Sequence, residues 1–344
     1  MPNISHQQLR ETSIQALIKG GATSEDADVV GNHLVESNLA GHDSHGVIRV
    51  AQYVAEMQKG VIVSGTKCST IAETAGSASL DAKNAFGQVA ADMAMRIAMD
   101  KAREAGGVSI VTASRVNHTG RLGHFVSLAA EQQMIGAMFV NGGGNGQWVA
   151  PFGGLGKRLG TNPLAIGAPR RDSFPLILDI STSVVPEGKI RHYKESGQSI
   201  PEGWLRDGEG NVTTNPADLY ASLGAAVLPM GGVAAHKGFG LSCMVDVLAG
   251  GLSGAGCVRP DVDPNSPPDH GVTMLAIDVA QLTSLDTFLD QVSTLAEHVK
   301  NTPPAPGFKE VFAPGEFEHR NRIDREANGI ELPDATWEIL KSLV

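Results

Sequence analysis

"NGGGNGQWVAPFGG", residues 141–154, is the stretch whose reading decides the fold. It follows the apolar run "IGAMFV", as a phosphate loop follows a strand, but it leads into "QWVAPFGG" rather than a helix. No strict GxGxxG and no GxxxxGK(S/T) occurs anywhere in the 344 residues. Spacing alone leaves a flexible turn and a phosphate loop equally open at 141–146. The pattern does not support a doubly wound dinucleotide fold. Neither GxSxG nor HExxH is present.

On either side of this loop the chain alternates. "FGQVAADMAMRIAMDKAREAGG" predicts a helix and "VSIVTASRV" a strand. A Gly-rich turn with a helix follows in "GRLGHFVSLAAEQQM", then the strand "IGAMFV". "PLAIGAP", "PLILDIS" and "GVTMLAIDV" predict strands, and "LDTFLDQVSTLAEHVKNTP" a helix. "GFGLSCMVDVLAGGLSGAG" predicts a helix whose small residues permit close packing. The expected class is α/β, or mixed α+β. The first 60 residues read as helical, and the texture changes near residue 75. The expected division is a helical lobe over 1–75, packing with segment 315–344, and a central α/β lobe over 76–314. "TSEDADVVGNHLVESNLAG" carries a capping-box pattern at Thr23 and Asp26. "SHGVIRVAQYVAEMQKG" predicts one helix capped by Ser44, with His45 in its first turn and Val47, Val50, Val54 and Met57 as its buried stripe. "RPDVDPNSPPDHG", 259–271, predicts an exposed loop.

Apolar residues make up 42% and charged ones 19%, a globular balance. The net charge of −10 argues against a nucleic-acid or anionic-membrane surface, which would want clustered Lys and Arg. The start shows no secretory signal, and no apolar run approaches the roughly 20 residues of a bilayer span. Cys68, Cys243 and Cys257 form no CxxC pair, so buried free thiols and a cytoplasmic protein are expected.

Polar groups concentrate in four places. In "SNLAGHDSHGVIR", 37–49, His42 and His45 are three apart, which admits a metal site, an acid–base site or a capped, solvated helix start. Arg49, one turn beyond His45, can clamp a carboxylate at two points. An imidazole beside such a clamp suits chemistry at the carbon next to a carboxyl group. In "VNHTGRLGHF", His118 stands where a strand ends, a usual place for ligand contact. In "LGTNPLAIGAP" and "LILDISTSVVPEGKI", Asp179 terminates an apolar strand, and Thr161 and Asn162 form a turn. In "AAHKGFGL", His236 and Lys237 precede two glycines at a helix start, where amides, dipole and cation can meet a phosphate.

Taken in order, these clusters resemble the malate/L-lactate dehydrogenase family, the non-Rossmann type of NAD(P)-dependent 2-oxoacid reductase. That family also includes ureidoglycolate, sulfolactate and cyclic-imine enzymes. The resemblance spans nearly the whole chain: "GHDSHGVIR…Y", "AFGQVAA", "NHTG", "VAPFGG…LGTNPLAIGAP", "LDISTS…GKI", "IPEGWLRDGEGNVTTNP", "HKGFGL…LAGGLSG" and "PAPGF…PGE". It implies the family's L-sulfolactate/malate dehydrogenase-like fold and NAD or NADP as cofactor. It further implies a 2-oxoacid or 2-hydroxyacid substrate and a homodimer.

The resemblance makes His45 the leading proton donor, with Ser44 beside it, Arg49 facing the substrate carboxylate and His118 the second candidate. Asp179 would orient an imidazole or touch the nicotinamide ribose. Asn141, Thr161, Ile180, Ser181, His236, Lys237, Gly315 and Glu316 would join His118 and Asp179 around the cofactor, and no metal is implied. This chain departs from the family's texture in the glycine-rich "NGGGNGQW", in "HKG", and in Arg191–His192 after "GKI". Three rivals remain: a cyclic-imine reductase on the same fold, a metal-dependent hydrolase using His42, Asp43 and His45, and a silent binding protein.

Overall fold

Ser5 and Thr23 open the first two helices, α1 (His6–Lys19) and α2 (Ser24–Leu39), by accepting from the backbone N–H of Gln8 and Asp26. The computed structural model, which describes residues 1–143, 146–222, 224–261 and 269–344, places β1 (Asn3–Ile4) before them and α3 (Val50–Gln58) after them. Asp26 does not reach back to Thr23 to complete the capping box. Its carboxylate accepts from Ser64 Oγ at 2.6 Å and Gly65 N at 2.7 Å, tying α2 to the chain beyond α3.

The single helix expected from Ser44 onward does not form. Two short 3-10 turns, Asp43–His45 and Val47–Arg49, precede α3, and Ser44 caps neither. The break is at Gly46, extended at φ −89° and ψ −155°. The amide of Asn38 fills the space beside it: a Cβ on Gly46 would stand 2.2 Å from Asn38 Oδ1, which accepts the Val47 N–H at 2.9 Å. A buried side chain from α2 thus turns the chain where local propensity would continue it.

Seven strands form the main sheet: β2 (Ser69–Glu73), β3 (Ser77–Asp81), β4 (Val108–Val116), β5 (Met134–Val140), β6 (Leu164–Ala168), β7 (Leu176–Ile180) and, entering later, β11 (His270–Asp278). Their order is β2-β3-β4-β11-β5-β6-β7, and only β3 and β4 run parallel. Helix α4 (Gly87–Glu104) makes the β3–β4 crossover, and α5 (Gly123–Glu131) carries the chain from β4 to β5. Those two strands are not neighbours, because β11 lies between them, antiparallel to both. The sheet begins at Ser69, so a boundary at residue 75 falls between two paired strands.

The sheet is sandwiched. Val272, Met274 and Ala276 of β11 join the core under α4 and α5. Thr273, pointing the opposite way, donates Oγ1 to Leu248 O at 2.6 Å, on the turn that continues α8 (Ala235–Asp246). Between β7 and α8 lie α6 (Glu187–Glu195), β8 (Leu205–Arg206), β9 (Val212–Thr213), α7 (Asp218–Ala221) and β10 (Ala226–Val227). The three short strands, in the order β10-β8-β9, help enclose a second core of Val149, Leu159, Ile190, Leu205, Leu219 and Val227. The chain ends with α9 (Leu285–Lys300), α10 (Glu316–Asn328), β12 (Ile330–Glu331) and α11 (Asp334–Ser342). β12 pairs with β1, and Ile330, Leu332 and Leu340 pack with Leu9, Leu34 and Tyr53 of the N-terminal helices.

The expected small-residue packing of α8 is present, since a Cβ on Gly238 would meet Met230 O at 2.1 Å. Residues 144–145 of the glycine loop and 262–268 of the Pro- and Asp-rich loop lie outside the described residues. All three cysteines are free, half-buried rather than buried. Among the described residues no helix is long and apolar enough to cross a membrane.

Candidate active site

His45 and His118 come from segments far apart in sequence and stack, ring centroids 5.6 Å apart and planes 18° from parallel. His45 is set by the turn before Gly46, His118 by the loop between β4 and α5. Two close approaches hold that loop. Asn117 Nδ2 donates to the carbonyls of Asn84 and Ala85 at 2.8 and 3.0 Å. A Cβ on Gly87 would collide with the carbonyls of Asn117 and His118 at 2.2 and 2.3 Å. The first turn of α4 is therefore pressed against the backbone of His118.

Each imidazole has one nitrogen held. Ser44 Oγ meets His45 Nδ1 at 3.0 Å, and Tyr53 Oη meets His118 Nδ1 at 2.8 Å. Tyr53 is itself buried and accepts from Gln88 Nε2 at 2.8 Å. Arg49 donates Nε to Ser44 O and Nη1 to Gln52 Oε1, both at 2.7 Å. Its Nη2 has no hydrogen-bond partner among the described residues. It faces the first turn of α6, where a Cβ on Gly188 would lie 3.3 Å away. Arg49 thus offers a free N–H edge beside two imidazoles. Arg191 of α6 is paired with Glu187 at 2.7 Å.

Burial, with the Arg49 charge next in size, holds His45 down at about 3 and His118 well below its ordinary value. Burial likewise lowers His33, His270 and His124, the last to about 4. All five imidazoles are neutral at neutral pH. The unfolded chain takes up protons near pH 6.5 that the folded protein refuses, so stability must fall as pH drops below about 6.5. Asp179, raised by burial, works the other way at lower pH. A melting temperature clearly lower at pH 5.5 than at pH 7.5 is expected; an unchanged one would contradict neutral burial.

Asp179, next to last in β7, accepts through Oδ2 from Gly123 N at 2.6 Å, the first residue of α5, whose own cap gives no side-chain bond. Its other neighbour is Arg121, Nε at 3.9 Å. The structure gives Asp179 no bond to either site imidazole. The side chain that does bond a site imidazole from behind is Tyr53. Beside it lies a cavity of about 450 Å³ lined by Arg121, His124, Ile177, Gly315, Glu318 and Arg322. Gly315 takes φ 87°, and a Cβ there would meet Ile177 N and Pro175 O at 3.1 Å. Two backbone segments therefore approach without side chains between them.

Beyond Asp179, Ile180 completes β7, and Ser181 Oγ donates to Thr161 O at 3.0 Å. Thr182 O accepts from Met230 N, on the segment that leads to exposed His236 and Lys237 in the first turn of α8. No side chain caps that helix start. Hydrogen bonds thus link the end of β7 to the start of α5, to the turn at Thr161 and to the segment before α8. The uncapped start of α8, with Lys237 in its first turn, has the donor chemistry that a phosphate would need.

Other expected contacts are committed elsewhere. Asn141 is fully buried; its amide donates to Gly256 O at 3.0 Å and Asp246 at 3.3 Å, and its Oδ1 accepts from Gly271 N at 2.8 Å. It fastens the glycine loop to α8, and both of its amide hydrogens are committed there. Glu316 is spent on Ala313 N, Lys300 and Arg320 at 3.1, 3.0 and 2.6 Å. The metal reading disperses as well. His42 turns to Glu318 at 3.1 Å and Asp43 to Arg325 at 2.7 Å, and among the described residues no three such groups gather. Tyr53 and Gln88 fall within the matched stretches but carry no assigned role in the sequence reading. The available signal was Tyr53 four residues after Arg49, and a glutamine in the first turn of an otherwise apolar helix face.

The model of the malate/L-lactate dehydrogenase family matches residues 4–341. A malate dehydrogenase of Pyrococcus horikoshii is 38% identical over 309 residues, 88% of this chain and 84% of the relative. The crystal structure of malate dehydrogenase from Entamoeba histolytica superposes with a TM-score of 0.94 at 30% identity, covering 99% of this chain and 97% of that one. Delta1-piperideine-2-carboxylate reductase from Pseudomonas syringae pvar. tomato superposes with a TM-score of 0.85 at 28% identity, covering 100% of both chains. With its mixed sheet, its paired histidines and this full-length match, the chain belongs to the malate/L-lactate dehydrogenase family.

Proposed function

We propose that the chain interconverts a 2-oxoacid and a 2-hydroxyacid with NAD or NADP, using His118 to move the hydroxyl proton and Arg49 to hold the carboxylate. The observation that carries this is a free guanidinium edge beside two neutral, stacked imidazoles, one of them locked by a buried tyrosine. When bound, the nicotinamide supplies or accepts the hydride. Everything else falls to this chain. Arg49 takes the substrate carboxylate at the start of α6. That anion offsets the charge that holds His118 low, so His118 gains proton affinity when substrate is in place. In oxidation His118 accepts the hydroxyl proton; in reduction it returns one to the oxygen on which negative charge builds.

His118 ranks ahead of His45, reversing the order implied by sequence. The partner of His118 is buried and is itself held by Gln88, whereas the partner of His45 is the exposed Ser44. Asp179, Thr161, Ile180, Ser181, His236, Lys237 and Gly315 would hold the dinucleotide. The chain is proposed to act as a cytoplasmic homodimer, which light scattering would check for assembly. The resemblance to the piperideine-carboxylate reductase supports a second reading, reduction of a cyclic C=N bond next to a carboxylate. A screen of NADH and NADPH oxidation over pyruvate, oxaloacetate, phenylpyruvate and the cyclic imine decides between them. Turnover of at least one 2-oxoacid above the imine is expected; turnover of the imine alone overturns the hydroxyacid reading.

A further inference from the structure

We propose that Gln88 is a positioning residue: its side-chain amide, acting through Tyr53, sets which nitrogen of His118 carries the proton. This rests on the assignment of His118 above. The three side chains form one line, Gln88 Nε2 to Tyr53 Oη at 2.8 Å and Tyr53 Oη to His118 Nδ1 at 2.8 Å. Gln88 and Tyr53 are both buried, and Gln88 Oε1 is a buried acceptor with no partner. A Cβ on Gly120 would stand 3.3 Å from Gln88 Nε2, so the bare backbone of the His118 loop leaves that amide its space.

Hydrogen counting gives the consequence. Tyr53 has a single hydroxyl hydrogen. With the Gln88 N–H donating to Tyr53 Oη, that hydrogen goes to His118 Nδ1, and the neutral ring carries its proton on Nε2. In this form Nε2 has no in-plane lone pair and cannot accept a proton from substrate. Turning the amide end for end brings Oε1 to Tyr53. The hydroxyl then donates to Gln88, Nδ1–H donates to Tyr53 Oη, and Nε2 is free to accept. When the hydroxyl proton of a 2-hydroxyacid moves to Nε2, the ring becomes imidazolium. Its Nδ1–H is already satisfied, and the hydride leaves for the nicotinamide. The reverse reaction starts from that imidazolium. Both working states need an acceptor at position 88, and the orphaned Oε1 is that acceptor.

The other titratable or charged groups acting on or packed near His118 are Arg49, His45, His270 and His33. Among the described residues only Tyr53 bonds its Nδ1.

The test uses the full chain with ¹⁵N-labelled imidazoles and the variants Gln88→Met, Gln88→Glu and Tyr53→Phe. Gln88→Met removes the acceptor while keeping length, so ¹⁵N shifts should move to the Nε2–H tautomer. Its reduction pH profile should shift to lower pH, with kcat for hydroxyacid oxidation down roughly tenfold. Gln88→Glu should shift the profile the opposite way, a result that a role in packing alone would not produce. In the Tyr53→Phe background, Gln88→Met should cost less than about twofold more, because the relay is already cut. An unchanged tautomer in Gln88→Met, or fully additive losses in the double variant, overturns the proposal. The NMR readout needs no turnover. A chain inactive on every 2-oxoacid would sink the functional reading and leave this one still testable.

Discussion

Alanine in place of His118 is expected to lower kcat by ~10²–10⁴-fold in both directions, with coenzyme affinity changed by less than about tenfold. The size follows from what is removed. His118 is the imidazole whose orientation is fixed from behind, by a tyrosine that burial keeps protonated well above its ordinary range. Hydride transfer without a placed proton partner leaves charge building on an oxygen that water must then serve. The coenzyme contacts proposed above lie mainly along Asp179, Ser181 and the α8 start, so most of them would survive loss of this ring. His45→Ala is the control. It removes the stacked neighbour and is expected to cost only ~10-fold, through looser placement. Stopped-flow hydride transfer and coenzyme titration of both variants read the difference. Abolished turnover in His45→Ala with His118→Ala nearly intact would move the proton to the other histidine.

The second large effect is expected at Arg49. Replacement by methionine should reduce kcat/KM for a carboxylate substrate by roughly 10- to 100-fold, the loss of one or more charge-assisted hydrogen bonds at about 1.5–3 kcal/mol each. Arg49→Lys should fall between, raising KM more than it lowers kcat, because a point charge replaces a planar fork. A second consequence distinguishes Arg49 from a packing residue. Its charge is the largest after burial in holding both histidines low, so Arg49→Met should raise their titration in the free protein. Steady-state kinetics with a 2-oxoacid and NMR titration of the imidazoles measure the two effects. An unchanged KM, with unchanged histidine titration, would remove Arg49 from the site.

Much of this molecule is legible in its sequence, for reasons particular to each part. The interrupted glycine stretch at 141–146 pointed away from a doubly wound sheet, and the sheet is mostly antiparallel. The runs that became α4, β4 and β5 carry strong periodicity, so local physics was enough. Strand order was not legible, because β11 reaches its place between β4 and β5 only by pairing across more than a hundred residues of chain. The helix expected from Ser44 failed because Asn38, from another helix, fills the space at Gly46. His45, Arg49 and His118 stood out as polar groups in an apolar chain. Tyr53 and Gln88 did not, because each sits at a position that also reads as core. Asn141 and Glu316 resemble ligand contacts until their partners are known. Asp246 and Gly256 lie more than a hundred residues from Asn141, and Lys300 comes from a different helix than Glu316.

A crystal structure of the chain with its coenzyme and oxamate, which mimics a 2-oxoacid, bears most directly on the whole scheme. The oxamate carboxylate should lie on Arg49, with its carbonyl oxygen within ~2.6–3.2 Å of His118 Nε2 and its reacting carbon facing the nicotinamide. Oxamate bound away from Arg49, or a nicotinamide far from both stacked histidines, would show that this pair is not where the proton moves.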